Sequence, residues 1–466
     1  MYREHLQLEI SDFVFSYGTL DPENDWVKLA HLVPWGKVEE QYAKHFVNNG
    51  HPAHPARCAL GALLIKQRLK CSDEWTVKHI AENPYLQYFI GEKEYTNRCP
   101  FGASTMVEFR KRFSDEDIAA IMEMTIPREK GRDDDDDSTP PDNHGSFLLD
   151  ATCCPADIAY PQDIQLLNEA REKAEQTVDE LCEGNRCKKP RMHRKQARRA
   201  YLRVSKSKKH SQKLMRRGIR EQLQYIRRDI GFVADLVKSG IHLTQGQSGR
   251  LNIITTIYEQ QRIMYETNTH SVADRIVSFS QPWVRPIVRG KAKAKTEFGT
   301  KLHISLVDGY ARIERLSFDA FNEADDFIAA VERYHVFYGC YPGRVLADKI
   351  YRNRKNLQFC KGHGIRLTGP ALGRPPKSSD ESKEARKQEY TDICDRNAVE
   401  GEFGTGKTAY GLDRIAARLE DTSRTVIAVA LLCMNLCKRL RSLLRVFFSR
   451  LFLLHMSENR CLLTIA

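Results

Sequence analysis

Arg396-Asn397-Ala398-Val399-Glu400-Gly401-Glu402-Phe403-Gly404-Thr405-Gly406-Lys407 can be read in two ways, and they lead to different proteins. From Gly401, the run Gly401-x4-Gly406-Lys407-Thr408 matches the phosphate-binding loop pattern G-x-x-x-x-G-K-[ST]. Read as a helix at about 100° per residue, Arg396, Glu400 and Lys407 fall at about 0°, 40° and 20°. That is one narrow face with a carboxylate between two cations. The first reading makes an NTPase. The second makes a carboxylate metal site flanked by groups that grip phosphate.

A phosphate-binding loop follows a buried apolar strand that aims it. The residues before Gly401, Tyr390 to Asn397, are polar. An NTPase also needs a later apolar strand ending in Asp for magnesium. Beyond Lys407 the aspartates are Asp413 and Asp421, both in polar surroundings. The context therefore favours the carboxylate reading, with the P-loop NTPase as the lesser alternative.

Two further carboxylates support it. Ser146-Phe147-Leu148-Leu149-Asp150 and Arg344-Val345-Leu346-Ala347-Asp348 both read as short apolar strands ending in aspartate. Functional groups of open α/β sheets gather at strand ends. Asp150, Asp348 and Glu400, brought together, could bind two divalent metals that activate a water or a 3′-hydroxyl and stabilise a leaving phosphodiester oxygen. Hard oxygen ligands suit Mg²⁺ or Mn²⁺. Arg396 and Lys407 would hold phosphate or neutralise transition-state charge. Asp157 and Asp163 are alternatives to Asp150 but lie beyond the strand. Glu402, at about 240° on the helix, points away from Arg396 and Lys407. Asp308 reads as a hairpin turn.

The 466 residues leave room for two or three domains, and the net charge of +12 favours a polyanionic partner. The thirteen cysteines include no CxxC pair, which leaves a zinc ribbon or finger unsupported and suits a reducing cytosol. No apolar signal region opens the chain. The longest apolar run, Val426 to Leu436, is too short and too closely followed by cations to span a bilayer.

Residues 1–130 read as a helical N-terminal domain. Ser72 is a predicted N-cap, Asn83-Pro84 a stop, and Ser104 to Arg112 a basic third member. This unit reads equally as a helix-turn-helix DNA reader or as a bundle for packing or dimerisation. Residues 131–145 form an acidic, Pro-rich linker containing Asp133 to Asp137. From Arg186 to Arg220 there is no Asp or Glu, while Lys188, Lys189, Arg191, Arg194, Lys195, Arg198 and Arg199 open a dense run of cations. Too few apolar residues interleave for a membrane helix, so this is the expected contact with nucleic acid. Lys301 to Phe318 reads as a β-hairpin, Ala320 to Tyr338 as a helix, Gly364 to Gly369 as a further strand, and Glu389 to Tyr410 as the helix carrying Glu400. Residues 426–466 read as a helical segment for packing and solubility.

Taken together, the Asp150-Ala151-Thr152 segment with Pro155, Ile158, Tyr160-Pro161 and Asp163, the Ala347-Asp348-Lys349-Ile350-Tyr351 segment, and Arg396-x3-Glu400-x6-Lys407 resemble a DDE-type insertion-sequence transposase of the IS-four/IS-five superfamily. The family's signature Tyr falls at Ile393, where this chain departs. The resemblance implies an α/β fold: an RNase H-like mixed sheet over residues 146–425 with a basic helical insertion at about 164–295, preceded by an all-α domain. It implies Asp150, Asp348 and Glu400 as ligands of two Mg²⁺ or Mn²⁺ ions. It also implies metal-dependent cleavage at transposon ends, 3′-hydroxyl strand transfer into target DNA, a homo-oligomer, no membrane, and a place in the prokaryotic cytoplasm near the nucleoid. A non-catalytic nucleic-acid-binding protein is the other alternative.

Overall fold

A computed structural model describes residues 10–15, 18–46, 52–127, 143–209, 211–288, 296–369 and 379–463. The aspartate run Asp133–Asp137 and residues 370–378 lie outside them. The chain divides into two compact units. One comprises Met1–Cys154, Lys301–Leu316 and Phe321–Ala466; the other comprises Pro155–Thr300 with Ser317–Ala320.

The first unit opens with seven helices: α1 (Asp25–Leu32), α2 (Trp35–Ala43), α3 (Ala56–Leu69), α4 (Asp73–Glu82), α5 (Pro84–Ile90), α6 (Thr105–Arg112) and α7 (Asp115–Thr125). Their limits follow from capping chemistry. Ser72 accepts a hydrogen bond from the Trp75 amide at the start of α4. Asn83 ends α4 and caps α5, with Pro84 at the first helical position where its missing N–H costs nothing. Ser114 and Asp117 form a reciprocal capping box on α7.

The α/β part is a mixed six-stranded sheet built from β1 (Ser146–Pro155), β2 (Arg285–Val288), β3 (Thr296–Val307), β4 (Tyr310–Ser317), β5 (Arg344–Leu346) and β6 (Arg366–Leu367). The strands lie in the order β2-β3-β1-β5-β6, with β4 also on β3. β5 is parallel to both β1 and β6, and β2 is antiparallel to β3. The β3–β4 turn places Asp308 at φ 51° and Gly309 at φ 73°, the left-handed pair that a two-residue hairpin requires. Asp308 therefore serves the turn.

The two faces of the sheet bury different residues. Phe147, Leu149, Val345 and Ala347 share a core with α12 (Phe327–Tyr338) and α13 (Arg354–Gly362). Leu148, Leu346, Leu302, Ile304 and Leu306 share another with the N-terminal helices, with Val399 of α14 (Ser379–Ala409), and with α15 (Glu420–Leu463).

The second unit consists largely of α8 (Asp163–Gly184), α9 (Arg194–Ser205), α10 (Gln212–Lys238) and α11 (Gln245–Thr267). It is centred on Leu167, Ala170, Ile226, Ile254 and Ile257. A buried Arg171, hydrogen-bonded to Asn168, Glu175 and Gln222, ties α8 to α10. Among the described residues no helix is long and apolar enough to cross a membrane.

Several elements differ from the sequence reading. β1 continues to Pro155, so Asp150 lies mid-strand rather than at its end. The strand outlasts its β5 partner, which stops at Leu346, and Asp150 follows the last β1–β5 pair. The segment 164–295 is not wholly helical, because β2 returns within it. α14 begins ten residues before Glu389. The sequence separates an N-terminal helical domain from a C-terminal segment. In the structure α15 is a central element of the N-terminal bundle, with Val426 to Leu440 packed among α1, α3, α6 and α7.

Asn435, which interrupts the apolar run of α15, has a structural reason. Its side chain accepts from the Ala311 amide at 2.9 Å and donates to the Ala311 carbonyl at 2.8 Å, pinning α15 to β4. Asn435→Ala should therefore lower unfolding free energy by about 1–3 kcal/mol, because both partners are left buried and unpaired. Denaturant titration measures this, and an unchanged midpoint would contradict it.

Candidate functional site

The register between β1 and β5 pairs Ser146 with Arg344, Phe147 with Val345 and Leu148 with Leu346. Asp150 and Asp348 each lie two residues beyond the last pair, Leu148 with Leu346, and Asp348 stands just past the end of β5. Side chains alternate faces along a strand. Leu148 and Leu346 both lie in the core shared with α14 and α15, so Asp150, two residues on in β1, projects from that same face. Asp348 leaves β5 as the cap of a short 3₁₀ turn, accepting from the Lys349 amide at 2.8 Å. Its side chain is 61% exposed.

Tyr351, three residues on, is fully buried. Burial, and then the negative charges of Glu323, Asp150, Asp326 and Asp348, push its hydroxyl well above the usual phenol range. Both aspartates thus act on the same buried group. The Tyr351 hydroxyl shares a 2.9 Å hydrogen bond with Nε2 of His303, also fully buried. The other ring nitrogen of His303 lies 3.6 Å from Asp326. Burial holds His303 below its ordinary pKa, against the opposing pull of Glu314, Asp326 and Glu323. This buried Tyr–His–Asp chain behind the aspartates was not foreseen from the sequence, because its members lie on three separate elements.

α14 supplies the other half of the site. Arg396 reaches Asp348 with 3.4 Å between Nη1 and Oδ1. Asp348, Lys349, Arg352, Glu389, Asp392 and Arg396 line a cleft of about 170 Å³. Asp392 is buried. Desolvation alone would raise its pKa, but hydrogen bonds from Arg366, Gln388 and Arg344 bring it below the ordinary carboxylate range. Glu400 stands exposed one turn beyond Arg396, and Lys407 is half-buried further along. Glu402 is turned toward α15: burial raises its carboxyl above the usual range, against Lys438 and Arg441. Asp163, the alternative to Asp150, lies in the second unit and accepts from Arg275 at 2.6 Å and Gln261 at 2.7 Å.

A divalent ion needs several oxygen ligands. Asp150 and Asp348 supply a hard-oxygen pair, with Asp348 open to solvent. Among the described residues no group of three His, Cys, Asp or Glu side chains is close enough to hold a metal ion. The structure brings Arg396 to Asp348, and it places Asp150 and Asp348 both within electrostatic reach of Tyr351.

The phosphate-loop alternative is overturned. Gly401 to Thr408 lie inside the continuous helix α14. The Thr405 and Thr408 hydroxyls donate to the Gly401 and Gly404 carbonyls at 3.0 and 2.8 Å. The amides that would cradle phosphate are committed to the helix ladder.

In the second unit the basic run sorts into two classes. Lys189 pairs with Asp179 and Glu183, and Arg194 with Asp179. Among the described residues, Lys188, Arg191, Lys195, Arg198 and Arg199 are exposed and form no ion pair. On α9 the inward positions are Ala197, Ala200 and Val204, which leaves Lys195, Arg198 and Arg199 along an outer stripe. The N-terminal cations are engaged internally: Arg110 grips Asp73 through both nitrogens at 3.0 and 2.7 Å, Lys111 meets Glu108, and Arg112 lies over Phe46.

Residues 345–437, which include Asp348, Arg396, Glu400 and Lys407, match the family model described as Transposase DDE domain. Residues 16–112 match Transposase domain (DUF772). Over these two segments the chain is similar to transposase domains. "Uncharacterized protein ORF8 in nfe locus" of Rhizobium meliloti is 28% identical over 147 residues, 32% of this chain and 69% of that protein. No solved structure matches.

The glycines of α14 give a direct test of the helical assignment. A Cβ on Gly401 or Gly404 would meet nothing within 4 Å, whereas on Gly406 it would come within 2.8 Å of Leu412 and 3.2 Å of Met434. Gly401→Ala and Gly404→Ala should each stabilise by about 0.5–1 kcal/mol, while Gly406→Ala should lose that gain to the clash. Thermal unfolding of the three variants checks the order.

Proposed function

We propose that the chain is a DNA transposase whose catalytic sheet is RNase H-like, cutting DNA at the ends of its element and joining the freed 3′-hydroxyl to target DNA. The observation that carries this reading is that Asp150 and Asp348 each follow the last β1–β5 pair by two residues and both bear on Tyr351, with Arg396 delivered to Asp348 by α14. The strand order, with β1 central, the β3–β4 hairpin on one side and β5 and β6 parallel on the other, supports it. Asp150, Asp348 and Glu400 would hold two Mg²⁺ or Mn²⁺ ions, for which the carboxylate donor set is suited. When bound, such ions supply Lewis-acid activation of a water or 3′-hydroxyl and charge stabilisation at the leaving oxygen.

The chain's own residues account for the rest of the chemistry. Arg396 and Lys407 neutralise phosphate charge along one helix face. Tyr351, tied to His303, backs the two aspartates with a buried, neutral surface. The outer cations of α9 hold the duplex through its phosphates, a contact that positions DNA without reading its sequence. Acting on two DNA ends calls for a homo-oligomer.

A second reading, a DNA-binding protein without cleavage, is favoured by one observation: the described residues gather no three metal-holding side chains. One experiment separates them. The protein is incubated with Mg²⁺ and DNA carrying its flanking element ends, beside Asp150→Asn, Asp348→Asn and Glu400→Gln. Cleavage by the parent protein and a loss of about 10²–10³-fold or more in each variant are expected. Cleavage that survives any of the three refutes the assignment, and salt-sensitive binding without cleavage establishes the second reading.

The α9 stripe has its own test. Replacing Lys195, Arg198 and Arg199 by Glu should weaken duplex binding about equally across sequences. It should also flatten the slope of log affinity against log salt by about 0.9 for each phosphate no longer neutralised. Arg194→Ala should leave that slope unchanged, because its charge is already paired with Asp179. Equal slopes for all variants would place the DNA contact elsewhere.

A further inference from the structure

We propose that Asp392 is a positioning residue, a buried carboxylate gripped by Arg344 and Arg366 that sets where α14 delivers Arg396 and Glu400. This rests on the reading of Asp150, Asp348 and Glu400 as one centre. No part of the sequence pattern singles Asp392 out; its partners lie 48 and 26 residues away in the chain.

The contacts form a closed set. Arg366, at the start of β6, donates to both Asp392 oxygens at 2.5 and 2.9 Å. Arg344, the first residue of β5, donates to Asp392 at 3.1 Å and lies 2.7 Å from Asp395. Its Nε donates to the Ser146 hydroxyl at 2.6 Å, at the start of β1. Gln388 adds a bond from one turn back at 3.2 Å. One carboxylate thus joins α14 to β5 and β6 directly, and to β1 through Arg344.

Little else holds this part of the helix. Between Lys387 and Ala398, Asp392 is the buried residue among those described; Tyr390 and Ile393 are 70% and 49% exposed. Among the described side chains of α14, the first buried apolar one is Val399. Residues 387–398 of α14 are therefore fixed by charge rather than by a hydrophobic face. A buried ion pair contributes little net stability against an apolar replacement, but it can specify geometry.

Distance and direction then decide what the latch controls. Arg396 and Glu400 lie one and two turns beyond Asp392, about 6 and 12 Å along the axis. At about 100° per residue, Asp392, Arg396 and Glu400 fall at about −40°, 0° and 40°, so all three share one face. Catalytic groups must be held within about 0.5 Å and 10–20°. A roll or slide of α14 beyond that margin takes Arg396 off Asp348 and carries Glu400 with it.

Asp392→Asn keeps the shape and removes the charge. Arg366→Gln removes one arm at a side chain that is 44% exposed, and guards against misfolding in the first variant. For the full chain, hydrogen exchange of the 388–400 amides is measured beside the Mg²⁺ dependence of DNA-end cleavage. In both variants the α14 amides should exchange faster while β1 amides stay protected. The Mg²⁺ concentration for half-maximal cleavage should rise about 10–100-fold, the scale seen when a partner behind a metal ligand is removed. Unchanged exchange in both variants overturns the latch. Faster exchange with an unchanged Mg²⁺ requirement overturns the positioning role alone. A parent protein that does not cleave in Mg²⁺ overturns the transposase reading before any substitution is made, and the positioning role falls with it.

Discussion

The register of β1 against β5 is the constraint on which the site depends. The two strands are parallel, and 198 residues separate Ser146 from Arg344 in the chain. A slip of one residue would carry Asp348 to the opposite face and exchange the two cores. The register is held at its start by several contacts. The His144 amide donates to the Tyr341 carbonyl, and the Gly343 amide donates back to His144. Gly145, at φ 83°, lies so close to the Tyr334 hydroxyl that a Cβ there would sit 2.6 Å from it. Arg344 bonds Ser146 across the pair. Beyond Leu148 the β1–β5 pairing ends, and each aspartate follows two residues after the last pair.

Two carboxylates at the end of one strand pair carry an electrostatic cost, since neighbouring like charges repel. Arg396 meets part of it directly, and the exposure of Asp348 lets water screen the rest. Arginine suits that task better than lysine, because its planar fork can hold a carboxylate while other N–H groups remain for phosphate. The buried side of the pair is treated differently. Tyr351 and His303 present hydrogen-bonded but uncharged groups there, and Lys301 is paired with Glu323.

Much of this was legible in the sequence wherever the signal is local. Ser72, Asn83-Pro84 and the Asp308-Gly309 turn each act through neighbours within a few residues, and the structure uses them as caps and turn. The short apolar strand before Asp348 and the helix through Glu400 were also readable from pattern. What escaped depends on partners distant in sequence. His303 sits in a strand whose alternation of polar and apolar residues suggests an outward polar side, yet it is fully buried because Tyr351 and Asp326 receive it. Arg110 to Arg112 look like a basic reading face until Asp73, Glu108 and Phe46 are seen to engage them. Cation count on a segment cannot distinguish charge offered to DNA from charge paired inside the protein. The same limit applied to Arg194 and Lys189, which differ from Lys195 and Arg198 only through Asp179 and Glu183.

The glycine-rich stretch of α14 shows how literal motifs mislead. Three glycines in six residues weaken a helix by about 1 kcal/mol each relative to alanine, so this segment would not be helical on its own propensity. α15 gives it a reason to be. Met434 and Leu412 fill the space that a side chain at Gly406 would take, and Phe403 packs into the same core. α15 in turn is held by the N-terminal helices and by Asn435 on β4. The helix that carries Glu400 is thus stabilised at its far end by a bundle assembled from both ends of the chain, and at its near end by Asp392. A perturbation of the N-terminal bundle can therefore reach the candidate site without touching any residue in it, through α15 and the close approach at Gly406.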